Sequence, residues 1–133
     1  MLKAASVGLA VMILTMVASF PMVAAYAYLI EPGHPREFYS AAAMWIAPWS
    51  SHLLGPVLFL WFNFALARRR PDRNAIAFAT ATIVLYALID AGSLPLFGAS
   101  ISAFFSPVVL ASLAFKTAGA LSGAWLGARP AQR

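Results

Sequence analysis

The stretch FALARRRPDRNAIAF, residues 64–78, joins two long apolar segments through a short turn that holds four arginines. An excess of Lys and Arg marks the cytoplasmic loops of membrane proteins. The turn therefore predicts a membrane hairpin whose connection faces the cytoplasm.

The composition places the 133-residue chain in a membrane. Hydrophobic residues make up 62% of it and charged residues only 10%. A domain of this size leaves much of its surface exposed, so a soluble fold could not hide that apolar share. The absence of cysteine excludes disulfides, thiolate metal sites and cysteine catalysis.

Four apolar segments are each long enough to cross about 30 Å of hydrocarbon as a helix. They cover approximately residues 4–30, 38–67, 75–94 and 102–126. The alternating pattern expected of barrel strands is not found in them. The predicted fold class is an all-α integral membrane protein, a four-transmembrane-helix bundle that forms a single domain over residues 1–133.

The basic residues predict the orientation. Seven of the nine Lys and Arg residues fall on one side of this layout: Lys3, Arg68, Arg69, Arg70, Arg73, Arg129 and Arg133. They predict a multi-pass protein of the cytoplasmic (inner) membrane with both termini in the cytoplasm. Because they serve as an orientation signal, we predict no nucleic-acid partner. The N-terminal segment also resembles a secretory signal, and we interpret it as a retained first helix.

An ungapped alignment of the sequence with itself, at an offset of 59, suggests two tandem helical hairpins. The segment LIEPG at 29–33 falls on LIDAG at 88–92, and Pro48 falls on Pro107. A duplication would relate the hairpins by an axis along the membrane normal, as a parallel pseudo-repeat. The other explanation is that any two membrane hairpins share turn and bend residues.

Lys116 lies in the middle of the apolar segment SPVVLASLAFKTAGALSGAWL, residues 106–126. A lysine at that depth costs about 2.5 to 3.5 kcal/mol, so we expect it to face protein or water. Asp90, His52 and Lys116 lie roughly 25, 24 and 20 Å from the cytoplasmic arginines at about 1.5 Å per residue. Three ionisable residues on three helices therefore share a similar height and form the predicted polar cluster.

Several roles for this cluster are open from the sequence. If the side chains converge, Asp90 and Lys116 can pair, and His52 can add a proton switch. Such a group would suit a proton-linked or ion-linked path. It could equally be a salt bridge that locks two helices together, with His52 only hydrogen-bonded between helices. Asp90 could also mark the outer end of the third helix at the headgroups.

Glycines recur every fourth residue at the end of the last helix, at Gly119, Gly123 and Gly127. Such spacing creates a groove in which another backbone can approach closely. We expect the partner to be the first helix, through Ala4 and Gly8, or a second subunit. Pro48 and Pro56 predict a bend in the second helix near His52.

The sequence contains no nucleophile elbow, phosphate-binding loop, dinucleotide fingerprint or zinc-protease helix. The polar loop EPGHPREF, residues 31–38, offers one histidine and two glutamates, too few for a convincing metal site. We predict no metal and no cofactor.

The leading functional hypothesis is an oligomeric transporter or channel for a small solute, or one linked to ions or protons, that uses Asp90, Lys116 and His52. The alternative is a non-catalytic membrane subunit or assembly partner of a larger membrane complex. A membrane enzyme ranks third, because no catalytic constellation is present. The expected partners are the lipid bilayer and either further copies of the chain or that larger complex.

Overall fold

The computed structural model describes residues 2–70, 74–98 and 100–129. Within these ranges the chain is helical and contains no strand. Four helices are long and apolar enough to cross a membrane: α1 (Leu2–Ala25, continued by a π-helical turn, Tyr26–Ile30), α2 (Arg36–Arg69), α3 (Ala75–Ser93) and α4 (Pro107–Ala128). Two basic residues used for the orientation, Arg73 and Arg133, lie outside the described residues.

The fourth helix begins later than the sequence predicts. The expected start near residue 102 is wrong, because Ile101–Phe105 forms a short 3-10 turn. Ser106 is the N-cap of α4, and its hydroxyl accepts a hydrogen bond from the Val109 amide. Pro107 occupies the first turn, where its missing N–H costs nothing. Apolar composition alone therefore overestimated the length of this helix.

The two ends of the bundle carry different residues. Lys3 of α1, Arg69 of α2 and Ala75 of α3 line one cavity, and Gly127 of α4 lies beside Phe64 of α2. The starts of α1 and α3 therefore meet the ends of α2 and α4, at what we call the basic end. The opposite end, called the loop end, carries the α1–α2 and α3–α4 connections.

The glycines of α4 pack against α2 of the same chain. A Cβ atom built on Gly119, Gly123 or Gly127 would overlap a backbone carbonyl oxygen of α2. The α2 residues involved are Pro56, Leu60 and Phe64. The expectation that this groove receives α1 or a second subunit is therefore wrong. The two helices run parallel, because the successive glycines of α4 meet α2 residues that also increase in steps of four along the chain.

The predicted offset of 59 is approached by one helix pair only. His52 of α2 contacts Ser112 of α4, an offset of 60, and the backbone contact of Gly119 with Pro56 gives 63. Gly8 of α1 instead lies against Tyr86 of α3, an offset of 78, where an added Cβ would stand 3.3 Å from the Tyr86 backbone. A twofold axis would bring residues 59 apart to one height in both pairs. The contact between α1 and α3 does not have that offset and gives the proposed duplication no support, so the duplication stays a prediction.

The first hairpin extends past the second at the loop end. Phe20 of α1 and Pro48 of α2 line a cavity together with Leu94, the residue after α3. Beyond this level α1 packs on the start of α2, where Tyr26 contacts Trp45 edge-on with ring centroids 5.4 Å apart. Along the bundle axis, the middle of α2 therefore lies at the same height as the loop end of the α3–α4 hairpin.

A buried apolar core separates the middle of α2 from the basic end. It consists of Val7, Val11, Phe59, Ala79, Ile83, Tyr86, Ala120 and Ala124. Many large apolar side chains on the outside stay exposed, among them Phe20, Met44 and Phe115. Soluble proteins rarely expose so much apolar surface. Such an exterior is compatible with a bundle of membrane-spanning helices.

We expect Gly123→Ala to destabilise the protein by about 1 to 3 kcal/mol, because the added methyl would overlap the Leu60 carbonyl and force the helices apart. Gly92→Ala is the matched control, since nothing lies within 4 Å of its added Cβ. That control should be neutral, or stabilising by about 0.5 to 1 kcal/mol. Unfolding in mixed detergent–SDS micelles measures both, and equal stabilities would contradict the close packing.

Candidate functional site

Lys116 lies in the interior of the bundle, as the sequence predicts. Its side chain is only 4% exposed, although it comes from the middle of an apolar helix. The ammonium group donates hydrogen bonds to Ser51 Oγ at 2.8 Å and to Tyr86 OH at 2.9 Å. It also stands 4.8 Å from the centroid of the Tyr86 ring. One cation thus links α4 to both α2 and α3.

Gly55 makes room for the lysine on the surface of α2. A Cβ built on Gly55 would lie 2.6 Å from Lys116 Cε, so any larger residue would displace the lysine stem. The next residue, Pro56, has no N–H and removes the helical hydrogen bond to the His52 carbonyl. The pair Gly55–Pro56 therefore shapes α2 around the lysine.

His52 lies beside the lysine on α2 and contacts α4. Its Nδ1 is 2.8 Å from Ser112 Oγ, and the direction of this hydrogen bond depends on the histidine tautomer. The imidazole is half-buried, with the Trp49 ring next to it at a centroid distance of 6.2 Å. Ser112 and Lys116 are one helical turn apart, so α4 presents both groups to α2 on one face.

Asp90 lies in the last turn of α3 and is half-buried. Among the described residues, the only ion pair joins His34 Nε2 and Glu31 Oε2 at 3.2 Å, so Asp90 and Lys116 are not within 4.0 Å. The direct salt bridge considered from the sequence is therefore not formed. Asp90 lies near the end of α3 and also lines a cavity between the helices, so its position relative to the headgroups stays a prediction.

The three predicted residues converge on one cavity of about 230 Å³ between α2, α3 and α4. We call it the α4-side cavity; Asp90, Lys116 and His52 line it, together with Tyr86, Ser51 and Ser112. Leu94, Ala103 and Phe104 border it toward the loop end. The cluster thus brings a cation, an anion and an imidazole to one space without direct pairing of the first two.

A second cavity of about 590 Å³ adjoins the first between α1, α2 and α3. We call it the α1-side cavity, and it shares Pro48, Ser51, Tyr86, Asp90 and Leu94 with the α4-side cavity. Its further polar lining consists of Thr15, Ser19, Ser50 and Ser93. Asp90 and Tyr86 therefore form part of the partition between two spaces.

Sequence reasoning missed three polar members of the cluster, namely Ser51, Tyr86 and Ser112. Tyr86 precedes Asp90 by one helical turn, and Ser112 precedes Lys116 by one turn. Ser51 is the neighbour of His52. Polar residues one helical turn before Asp90 and Lys116 would have been recognisable in the sequence as Tyr86 and Ser112.

The polar loop between α1 and α2 is organised by Tyr39. Its hydroxyl donates to the Glu31 carbonyl oxygen at 2.8 Å and accepts from the His34 amide at 3.0 Å. In the part of the chain that the structure describes, no three His, Cys, Asp or Glu side chains are grouped to hold a metal ion. The loop therefore supports no metal-based proposal.

No family model, curated protein or solved structure matches this chain significantly. Functional interpretation therefore depends on the geometry of the cluster and on the chemistry of its side chains.

We expect the Lys116–Tyr86 hydrogen bond to show a coupling free energy of about 0.6 to 1.7 kcal/mol, the range for buried hydrogen bonds between membrane helices. A double-mutant cycle of Lys116→Met and Tyr86→Phe, with unfolding measured in detergent–SDS micelles, gives this value. The matched control cycle combines Lys3→Met, at the basic end, with Tyr86→Phe. Its coupling free energy should lie within about 0.5 kcal/mol of zero. Equal coupling in the two cycles would contradict the contact.

Proposed function

We propose that the chain is a multi-pass protein of the cytoplasmic membrane with both termini in the cytoplasm. The apolar exterior of the bundle supports the membrane location. Lys3, Arg69 and Arg70 gather at the basic end, which supports a cytoplasmic position for that end. The loop end, with the polar cavities, then lies toward the opposite side.

We further propose that the protein is a small transporter or channel for an ion or a small solute, with proton linkage through the polar cluster. The observation that carries the proposal is Lys116, a buried cation with no carboxylate of the described residues within 4.0 Å, held by two hydroxyl groups in a cavity that Asp90 and His52 also line. Intramembrane charges that face a cavity commonly mark ion or substrate pathways.

The chemistry of the cluster fits a reversible ligand. Ser51 and Tyr86 are neutral acceptors, so an incoming anion can compete for the Lys116 ammonium group without first breaking a salt bridge. His52 places an imidazole, a group that can bind and release a proton, on the same cavity, which suits exchange of a proton with such a ligand. The α4-side cavity would hold about eight water molecules at about 30 Å³ each. A small ion or solute fits this space.

The apolar core separates this cluster from the basic end. Phe59 is fully buried and packs edge-on against Tyr86, with ring centroids 5.1 Å apart. Passage across the membrane would therefore need a second arrangement in which this core opens, as in alternating access. We propose that a homo-oligomer supplies the surface for such a movement, because one bundle of four helices encloses little space.

The alternative is a non-catalytic subunit of a larger membrane complex. The glycine groove of α4 was the surface first suggested for binding such a partner. The glycine groove of α4 is occupied by α2 and cannot receive another protein. A partner would have to bind elsewhere on the apolar exterior. Recovery of a stable complex with a second protein after mild detergent purification would favour this alternative.

We expect purified protein in proteoliposomes to carry protons faster than empty liposomes, and Lys116→Leu to reduce that flux to the empty-liposome level. A potassium gradient with valinomycin sets the membrane potential, and a trapped pH-sensitive dye reports proton entry. Lys116→Leu should still fold, since the groups that contact the ammonium are the neutral hydroxyls of Ser51 and Tyr86, so its removal leaves no charged partner buried and uncompensated.

Phe115→Leu is the matched control for this experiment. Phe115 is the neighbour of Lys116 on α4 but is 66% exposed, so its replacement should leave the flux unchanged. Thermal stability and gel filtration verify that both variants are folded. Unchanged flux in Lys116→Leu would contradict a role for the lysine. Absence of proton flux in the parent protein would contradict the proton linkage.

A further inference from the structure

The basic end holds a separate cavity of about 230 Å³ with a cationic rim. Lys3 from the start of α1 and Arg69 and Arg70 from the end of α2 line it. None of the described residues that line it is acidic. Its remaining walls are mostly apolar and come from α2 and α3, including Leu66 and Phe78. The space therefore combines positive charge at the surface with an apolar interior.

Asn63 limits where an anion can lie in this cavity. Its side chain is 1% exposed, and its Nδ2 donates to the Phe59 carbonyl oxygen at 2.9 Å. Its Oδ1 is buried without a hydrogen-bond partner among the described residues. Because an amide oxygen is an acceptor, it would repel the oxygens of a phosphate. An anionic group must therefore bind at the cationic rim and not beside Asn63.

An apolar groove of about 330 Å³ adjoins this cavity on the outside of α1 and α2. Leu66 and Arg69 line both spaces. From Arg69 the groove follows α2 toward the middle of the bundle, past Ala65 and Trp61, and its other wall holds Val7 and Ala10 of α1. A ligand that reaches both spaces needs an anionic head and an apolar tail.

We propose that an anionic phospholipid binds here, with its phosphate between Lys3, Arg69 and Arg70 and an acyl chain along the apolar groove. Arg69 can form paired hydrogen bonds to phosphate oxygens, which Lys3 supplements as a point charge. Basic pockets between membrane helices on the cytoplasmic side are suited to anionic headgroups. The groove beside Arg69 favours a lipid over free phosphate, which has no apolar part.

The site depends on the membrane location proposed above and is independent of transport. It lies at the basic end, beyond the apolar core that contains Phe59, whereas Lys116 bonds Ser51 and Tyr86 at the edge of that core nearer the loop end. Lys116→Leu should therefore leave lipid binding unchanged. A loss of flux and a loss of lipid binding can thus be told apart.

The test is native mass spectrometry of the full chain in detergent, titrated with dioleoyl phosphatidylglycerol or dioleoyl phosphatidylcholine. We expect one tight site for the anionic lipid, which binds at least about tenfold more strongly than the zwitterionic lipid. The double variant Lys3→Gln, Arg69→Gln should weaken phosphatidylglycerol binding by about 30-fold. Binding of phosphatidylcholine should change little.

Arg68→Gln is the matched control. Arg68 belongs to the same arginine run but does not line the cavity, and its guanidinium lies 5.6 Å from the Phe64 ring centroid. This variant should retain affinity within about threefold, since it keeps the rim charges. An equal loss in Arg68→Gln and the double variant would show only general attraction to the basic end and would overturn the site.

Ala10→Leu tests the groove, because the larger side chain would fill the space assigned to the acyl chain. We expect it to weaken phosphatidylglycerol binding. Inorganic phosphate at about 10 mM, well below the physiological ionic strength of about 0.15 M, should fail to displace the lipid from the parent protein. Undiminished lipid binding in Ala10→Leu, or displacement of the lipid by inorganic phosphate, would overturn the assignment of a lipid.

Discussion

Backbone contact between α2 and α4 is the constraint on which the polar cluster depends. The glycines of α4 let the two helices approach until no side chain fits between them. One turn closer to the loop end, Gly55 of α2 leaves a gap that the stem of Lys116 fills. The lysine then reaches Ser51 on α2 and Tyr86 on α3. A wider separation of the helices would lengthen these hydrogen bonds and admit lipid or water around the charge.

The cluster separates charges that could have been paired. Lys116 is satisfied by hydroxyl groups and His52 by Ser112, while Asp90 lines the same cavity without contacting the lysine. A structural salt bridge would have stabilised α3 and α4 by direct contact. The observed arrangement leaves Lys116 and Asp90 each able to bind a ligand in the cavity. This is the basis of the ligand-binding role proposed above.

The fold was largely predictable because it follows from local composition. Each apolar segment became a helix within a few residues of the predicted bounds, except that α4 begins at Pro107. That error arose because residues 102–106 are mostly apolar, like the helix they precede, whereas the start of α4 is signalled locally by Ser106 at the N-cap and Pro107 in the first turn. The depth estimate placed Asp90, His52 and Lys116 at one level because the rise of a helix is constant.

By itself, the sequence determined the number of helices, the basic end and the height of the ionisable residues, because these properties depend on composition and on distance along the chain. Only the tertiary structure decided which helix fills the glycine groove and which groups surround Lys116. Those outcomes depend on the rotation of each helix about its axis and on which helices become neighbours. Packing sets both, since Gly55 and Gly119 allow contacts across α2 and α4 that no single segment specifies.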